Sequence, residues 1–592
     1  MSVTSVLSAA WGAQCVGLQA PLISGAEVLW MASNAVQDFR TPPVIDVSGE
    51  TPPNLTGSVP PLNFCNVSIA LTHPGDKDTA FISVWLPPKD SWNHRYTATG
   101  GGGLAAGYDF NMVSPLAAGF AASSTDGGLT LNHTINPQSG LWGLDEDGSI
   151  EEGRLTNLGW RSIHDMSVAS KDVVKQFYSV EPSYSYWVGC SQGGRQGYAA
   201  AAKYPEDFDG ILANSPGLGL DSVGPAAFWP VVVMQNEGEF VPSCVFDEYQ
   251  KAILEVCDPL DGATDGLISD YELVLTCPQT FNSSALIGRI VPCEDAGGIT
   301  ITPRHAKIVT KILDGPRTDA GERFWFGTAP GANFSGVAGT VYEDGKWTPK
   351  PFPPAAGWLQ NVVVAANKTN IMQLSYDEFF AAFNISVELG APFIGDEYLD
   401  LSDFREAGGK LLTWVGLADQ YIPPMHLLEF YDQVAKKMGG DPKVNEFYRV
   451  FTAPGVGHCY GGAGPQPVAA MQALVAWVEN GTAPETLAAR SDSMNGPVIT
   501  RELCMYPKKC VYGDGDVREP GSFHCQDPET QTGRSGNETE SETHPGDKDR
   551  TEDEDQNSRA STLRVTASCG SIAWAAVWFA LDLFEVIWMD GL

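Results

Sequence analysis

With 592 residues, 43% of them hydrophobic and 10% aromatic, the chain can bury a substantial core and exceeds one average domain. Asp and Glu total 72 against 36 Lys and Arg, for a net charge of −36. That balance argues against nucleic-acid or anionic-membrane partners, which need cationic surfaces, and fits a soluble protein in acidic or extracellular surroundings.

The N-terminal MSVTSVLSAAWGAQC has a short apolar stretch but no basic n-region before Cys15, and predicts a weak or truncated signal peptide. The 12 cysteines point nonetheless to a secretory, oxidising route. So do the sequons at Asn54, Asn66, Asn132, Asn282, Asn333, Asn367, Asn384, Asn480 and Asn537. Residues 66 to 110 alternate strand-like and turn-like pieces: VSIALTHP, AFISVWLPP and YTATGGGGLAAG. Residues 154 to 180 place apolar side chains at helical spacing and predict one helix. YSYWVG then reads as a strand, GGRQGYAAAAKYP as a helix and FDGILANSPG as a short buried strand. Strand, helix and strand in alternation predict a parallel sheet with crossover helices.

From about 220 to 400 that alternation fades into scattered Pro, Gly, Asn and aromatic residues, which predicts an inserted lid. Alternation returns with KLLTWVGLAD, MHLLEFYDQVAKKMG, EFYRVFTAPGVGHC and PVAAMQALVAWVENG. The expected organisation is a first core part over 1–220, a lid over 221–402, a second core part over 403–528 and a tail over 529–592. The tail is polar and acidic, lacks the apolar surface to offset chain entropy, and is expected to be disordered. It repeats HPGDKD, present at His73 to Asp78 and again at His544 to Asp549. Its last stretch, SIAWAAVWFALDLFEVIWM, carries Asp582 and Glu585, which argues against a membrane-spanning helix.

Gly189 to Gly193 spell G-x-S-x-G, the pattern of a serine nucleophile on a strand-to-helix turn. A nucleophilic serine needs a base to take its proton and an acid to orient that base, each on a loop after a later strand. Asp419, past the KLLTWVG strand, and His458, past the FYRVFTA strand, supply the order Ser191, Asp419, His458. His73, His94, His164 and His426 are the competing bases, with His164 read as a packing residue in a helix. For the oxyanion, the backbone N–H of Gln192 is one donor. The Gly100 to Gly103 loop, where esterases carry an HGGG segment, offers Gly102 and Gly103 as the other.

Cysteines flank two of these residues. If His458 reaches Ser191 within about 3 Å, Cys190 and Cys459 come close enough for a bridge, which needs a Cα separation of about 4.4–6.8 Å. Such a bridge ties the nucleophile loop to the base loop across the lid, and closing so long a loop contributes on the order of 4–5 kcal/mol in the chain-entropy model.

Cys190-Ser191, Asp419 and His458-Cys459 together resemble the CS-D-HC arrangement of the tannase and feruloyl esterase family. The resemblance covers about residues 60 to 528, including GCSQGGRQGYAAAAKYPEDFDGILANSPG, CDPLDGATDGLISD and APGVGHCYGG. It implies an α/β-hydrolase core with a large inserted lid, and hydrolysis of esters of plant phenolic acids. On chemistry alone, the loop Cys257 to Leu267 reads equally well as Asp-Gly turns on an acidic surface or as a calcium loop. The resemblance implies calcium, held in the lid by Asp258, Asp261 and Asp265 with the carbonyls of Ala263 and Leu267. The ion's expected role is structural, because the loop lies far in sequence from the triad. The resemblance also implies the pairs Cys15–Cys65, Cys257–Cys277 and Cys504–Cys525. Cys244 with Cys293 is a guess, Cys510 and Cys569 are left over, and spacing does not decide the connectivity.

The expected partner is a small aromatic-acid ester, polyphenol or cell-wall ester, with neither nucleic acid nor membrane involved. One rival is a peptidase or acyltransferase on the same core. The other is a non-catalytic glycosylated wall protein on a hydrolase scaffold.

Overall fold

The computed structural model describes residues 15–41, 60–145, 147–294, 296–318, 320–365, 369–491 and 496–528. The readings of the leader, of the tail with its HPGDKD copy, of Cys569 and of Asn54, Asn367 and Asn537 lie outside the described residues.

A 9-stranded sheet organises the molecule. Its strands are β1 (Glu27–Phe39), β2 (Leu62–Thr72), β3 (Ala80–Leu86), β4 (Arg95–Thr99), β5 (Ala121–Thr125), β6 (Tyr184–Cys190), β7 (Gly210–Asn214), β8 (Lys410–Gly416) and β9 (Tyr448–Ala453). In space they run β1-β2-β3-β5-β4-β6-β7-β8-β9. The pairs from β1 to β5 are antiparallel, and every later pair is parallel. A parallel strand covered by helices on both sides is apolar on both faces. On β6, Trp187 packs with Tyr198 and Ile211 on one face, while Tyr186 and Val188 pack with Leu212 and Trp414 on the other.

The helix expected over 154–180 is two helices, α1 (Glu152–Gly159) and α2 (Arg161–Tyr178), broken where Trp160 leaves the helical region at φ −162°. The elbow helix α3 (Gln192–Lys203) follows β6. Between β7 and β8 the chain builds a mainly helical layer from α4 (Leu220–Glu237), α5 (Ser243–Cys257), α6 (Pro303–Asp314) and α7 (Tyr376–Ile394). A capping box of Ser375 and Glu378 starts α7. Phe228, Phe246, Phe334, Trp358 and Phe379 fill the core of this layer, together with Trp142, Leu155 and Leu158 from the first core part. The inserted segment therefore shares its core with the body built around the sheet. The chain returns through α8 (Pro424–Met438) and α9 (Ala470–Asn480). Sequence reading missed β1 and the small C-terminal sheets, a three-stranded one ending at Thr500–Cys504 and the hairpin Lys509–Tyr512 with Phe523–Gln526.

Disulfides join Cys15 to Cys65, Cys190 to Cys459, Cys244 to Cys293, Cys257 to Cys277 and Cys504 to Cys525. Cys510 stays free and buried, opposite Cys525 in the hairpin, and burial pushes its thiol up to about 11. Asn132, Asn282, Asn333, Asn384 and Asn480 are exposed, whereas Asn66 is half-buried within β2. Among the described residues no helix is long and apolar enough to cross a membrane.

The first HPGDKD segment is structural. His73 is buried, with Nδ1 2.5 Å from Asp78 and Nε2 2.9 Å from Asp165 of α2, while Asp78 also accepts from Asn157 of α1 at 2.8 Å. Burial opposes protonation of His73, but the bonds to Asp165 and Asp78 outweigh it and raise the pKa from 6.5 to about 9. A folded pKa above the unfolded one makes this stabilisation complete below the unfolded value and lost as pH rises through about 9. The contribution is on the order of 3 kcal/mol. The melting temperature is expected to fall between about pH 7 and about pH 10, and His73→Gln to melt lower with a flatter profile. A wild-type profile flat over that range would contradict this role.

Candidate active site

Ser191 sits at the turn between β6 and α3 with φ 62° and ψ −125°, a strained conformation that lifts its side chain out of the sheet end. The turn requires glycines. A Cβ on Gly189 would collide with the Gly193 carbonyl, and one on Gly193 would lie 2.9 Å from the Gly101 carbonyl. The Ser191 N–H donates to the Asn214 carbonyl of β7 at 3.1 Å, and its carbonyl accepts from Gly217 at 2.9 Å. The end of the neighbouring parallel strand β7 and the turn after it thus hold the nucleophile loop.

Asp419 and His458 stand just past β8 and β9. Asp419 is 1% exposed; its Oδ2 lies 2.7 Å from His458 Nδ1, and its Oδ1 accepts the N–H groups of Tyr421 and Ile422 at 2.9 Å each. Gln420, which sequence reading passed over, accepts the His458 N–H at 3.0 Å. The carboxylate therefore orients the imidazole and leaves Nε2 for a substrate-side proton. Among the described residues Ser191 and His458 form no direct hydrogen bond. Their neighbours Cys190 and Cys459 are bridged at a Cα separation of 5.9 Å, and Cys459 takes φ 62°. A serine–histidine contact left open in a free enzyme closes in the substrate complex.

The rival histidines are engaged. Both ring nitrogens of His73 are taken by carboxylates. His164 Nδ1 lies 2.8 Å from the Asp207 carboxylate, and its ring stacks on Tyr204. His426 lies 3.0 Å from Asp396 against Trp325. His94 packs on Trp92.

Gly100 to Gly103 form a packed turn, not a flexible linker. A Cβ on Gly100 would lie 2.5 Å from Gly193 Cα. Gln196 of α3 accepts the Gly101 N–H at 3.1 Å, and Gln138 accepts that of Leu104 at 2.8 Å while donating to the Gly102 carbonyl at 2.9 Å. Among the described residues the N–H groups of Gly102 and Gly103 have no acceptor. The loop thus keeps two free donors on a backbone pinned to the elbow helix.

The inserted layer reaches both halves of the site. Phe352 stacks on Tyr421 at 4.4 Å, and Tyr421 stands edge-on to His458 at 5.3 Å and 84°. A Cβ on Gly103 would lie 2.8 Å from Pro354. A cavity of about 600 Å³ lies elsewhere, beside α5 and the Gly331 to Asn333 turn, and contains none of these residues.

In the Asp258 to Leu267 loop, Asp258 accepts from Asp265 and Gly266, Asp261 from Ala263 and Ser269, and Asp265 from Leu267 and from Arg501 at 2.6 Å. Burial, with Asp265 and Asp258 nearby, pushes Asp261 up to about 6. This hard, negatively charged oxygen set suits calcium. The side chains must still draw together around an ion. Among the described residues, the group whose ligand atoms all lie within 4.8 Å of one another is His73, Asp76 and Asp78, and both His73 nitrogens there are already engaged. The loop is also not remote from the triad in space. Leu267 packs where a Cβ on Gly455 would sit, and Gly266 and Leu267 share a small cavity with Leu417 and Ala418. It buttresses the turns that carry Asp419 and His458.

A nucleophile turn, an acid and a base, each past the end of a parallel strand in this order, define a serine hydrolase of the α/β-hydrolase fold. The chain belongs to the tannase and feruloyl esterase family, which matches residues 65–526. It is 37% identical over 519 residues to a probable feruloyl esterase of Arthroderma benhamiae, covering 86% of this chain and 93% of that one. It is 26% identical over 521 residues to the tannase of Aspergillus oryzae, covering 80% and 86%. Among solved structures, tannin acyl hydrolase from Aspergillus niger aligns with a TM-score of 0.74 at 23% identity, over 88% of this chain and 94% of that one. Feruloyl esterase B from Aspergillus oryzae aligns at 0.67 and 24% identity, over 87% and 100%. These two structures share the fold.

Proposed function

We propose that the chain is a secreted serine esterase that hydrolyses esters of phenolic acids of the ferulate or gallate type. The observation that carries this reading is the Asp419–His458 pair at 2.7 Å, tethered to Ser191 through the Cys190–Cys459 bridge. His458 Nε2 takes the Ser191 proton as Oγ attacks the ester carbonyl, and the negative oxygen is received by the N–H groups of Gln192 and of Gly102 or Gly103. The tetrahedral adduct collapses as His458 returns the proton to the departing alcohol. Water, activated by the same histidine, then releases the acid from the acyl-serine. Asp419 holds the imidazole in the productive tautomer and stabilises its cation. Phe352 of the inserted layer reaches this chemistry through Tyr421, in the turn after β8. The disulfides and exposed sequons support an extracellular setting.

The test is a panel of methyl gallate, methyl ferulate, methyl caffeate and a simple alkanoate ester. Turnover of the aryl-acid esters is expected. Cleavage of amides alone would favour a peptidase, and no turnover of any ester, with disulfides intact and calcium present, would sink the reading.

Calcium belongs to the same proposal. Asp258, Asp261 and Asp265, with the carbonyls of Ala263 and Leu267, would hold the ion. Bound, it would neutralise buried carboxylates and stiffen the loop beneath Ala418 and Gly455. EGTA is expected to lower the melting temperature by several degrees and the activity with it, and calcium to restore both. Identical melting curves in EGTA and calcium would remove the ion from the account.

A further inference from the structure

The elbow helix carries a buried cation that the mechanism above leaves without a task. Arg195, one turn beyond Ser191 on α3, is 0% exposed. Its Nε donates to Gln192 Oε1 at 2.7 Å, and its Nη2 donates to the carbonyls of Leu158 and Gly159 at 2.8 Å each. Its Nη1 lies 3.4 Å from the Tyr398 hydroxyl. Gln192 Nε2 donates to the same Leu158 carbonyl at 3.1 Å. Leu158 and Gly159 end α1, where carbonyls lack intrahelical donors, so the guanidinium closes one helix while gripping the first residue of another.

Its charge is not cancelled at rest. Among the described residues no carboxylate lies within 4.0 Å of the guanidinium. The buried acid its field reaches, Asp221, is itself pushed up to about 7 by burial and by Asp396, and so supplies only part of a counter-charge. An unpaired buried charge costs several kcal/mol, a cost that structure alone does not explain.

The geometry points to Arg195 as a positioning residue for the oxyanion. It locks the Gln192 side chain, and with it the first peptide of α3 whose N–H faces the developing charge. It also holds a positive charge in the first turn of α3, bonded to the residue that carries that N–H, where it adds to the positive end of the helix. The matching negative charge arises when the ester carbonyl becomes tetrahedral. The group therefore favours the transition state over bound substrate, and its loss should fall on kcat rather than KM. This inference rests on the reading of Ser191 and Gln192 given above.

The test compares wild type, Arg195→Lys and Arg195→Met on methyl ferulate. It records kcat, KM, the melting temperature and affinity for a trifluoromethyl ketone that mimics the tetrahedral adduct. Arg195→Met is expected to lower kcat by about 30-fold with KM within about 3-fold, and to weaken the ketone in parallel. Arg195→Lys keeps the charge but not the fork of donors, and is expected to lose about 3- to 10-fold in kcat and in ketone affinity. A folded Arg195→Met with unchanged kcat overturns the inference, as does Arg195→Lys as impaired as Arg195→Met. If Arg195→Met does not fold, Arg195→Lys decides: a fall of about 3- to 10-fold in both kcat and ketone affinity supports it, and unchanged ketone affinity rejects it. Absence of turnover in wild type would instead strike the esterase reading itself.

Discussion

Ser191→Ala is expected to lower kcat on methyl ferulate by about 10⁴-fold or more while leaving KM and the melting temperature close to wild type. Oγ is the only atom removed, and the turn that presents it is held by backbone bonds to Asn214 and Gly217 and by glycine contacts at Gly189 and Gly193. The variant retains the oxyanion donors and the Asp419–His458 pair, so residual hydrolysis requires direct attack by water. Such residual rates stay orders of magnitude below those of an intact triad because nucleophile and base act as a unit. Stopped-flow release of ferulate settles the point, and an alanine variant retaining more than about 1% of wild-type kcat would remove Ser191 from the role of nucleophile.

The second large effect belongs to the Cys190–Cys459 bridge. It closes a separation of 269 residues and ends on the residues flanking Ser191 and His458. In the chain-entropy model a loop of this size contributes about 5–6 kcal/mol. Spread over the unfolding entropy of a body this large, about 2 cal/mol/K per residue, that is a melting shift of about 5 °C. The loss of activity should exceed the loss of stability. Without the bridge, the His458 imidazole is placed by the bond from its N–H to Gln420, the Asp419 contact and the edge-on Tyr421 ring, none of which ties it to the Ser191 turn. The paired variant Cys190→Ser with Cys459→Ser, which leaves no odd thiol, is expected to lose more than about 10-fold in kcat/KM with the other disulfides in place. Full activity in that variant, or in protein whose bridge is shown by mass to be open, would refute the tether.

Much of this site was legible because its chemistry is written in short local patterns. G-x-S-x-G needs glycines where backbone approaches backbone, and the structure puts Gly189, Gly193 and Gly100 in such contacts. The apolar runs before Asp419 and His458 become β8 and β9 because strands buried on both faces must be apolar throughout. A cysteine beside each of two catalytic candidates is a spacing that only proximity explains.

Other parts were not legible, for reasons of distance along the chain. β1 was missed because its solvent-facing positions dilute the apolar pattern. The break at Trp160 leaves the Leu158 and Gly159 carbonyls to accept from Arg195, a long-range pairing that propensity cannot see. The Asp258 to Leu267 loop looked remote from the triad because sequence separation was taken for spatial separation. The fold brings Leu267 against Gly455, so its support of the acid and base turns is a tertiary fact.

By itself, the sequence pointed to Ser191, Asp419 and His458 as nucleophile, acid and base in that order, to an alternating core around an insertion, and, through its cysteines and sequons, to an oxidising route. Each follows from local residue chemistry or periodicity. Only the tertiary structure decided which backbone donors stay free among the described residues at Gly102 and Gly103, that His73 is a buried ion-paired strut, and that Arg195 is buried under the elbow with no described carboxylate in ion-pair reach. Those properties depend on what burial removes from water and on which distant groups then answer the charge, and no local pattern encodes either.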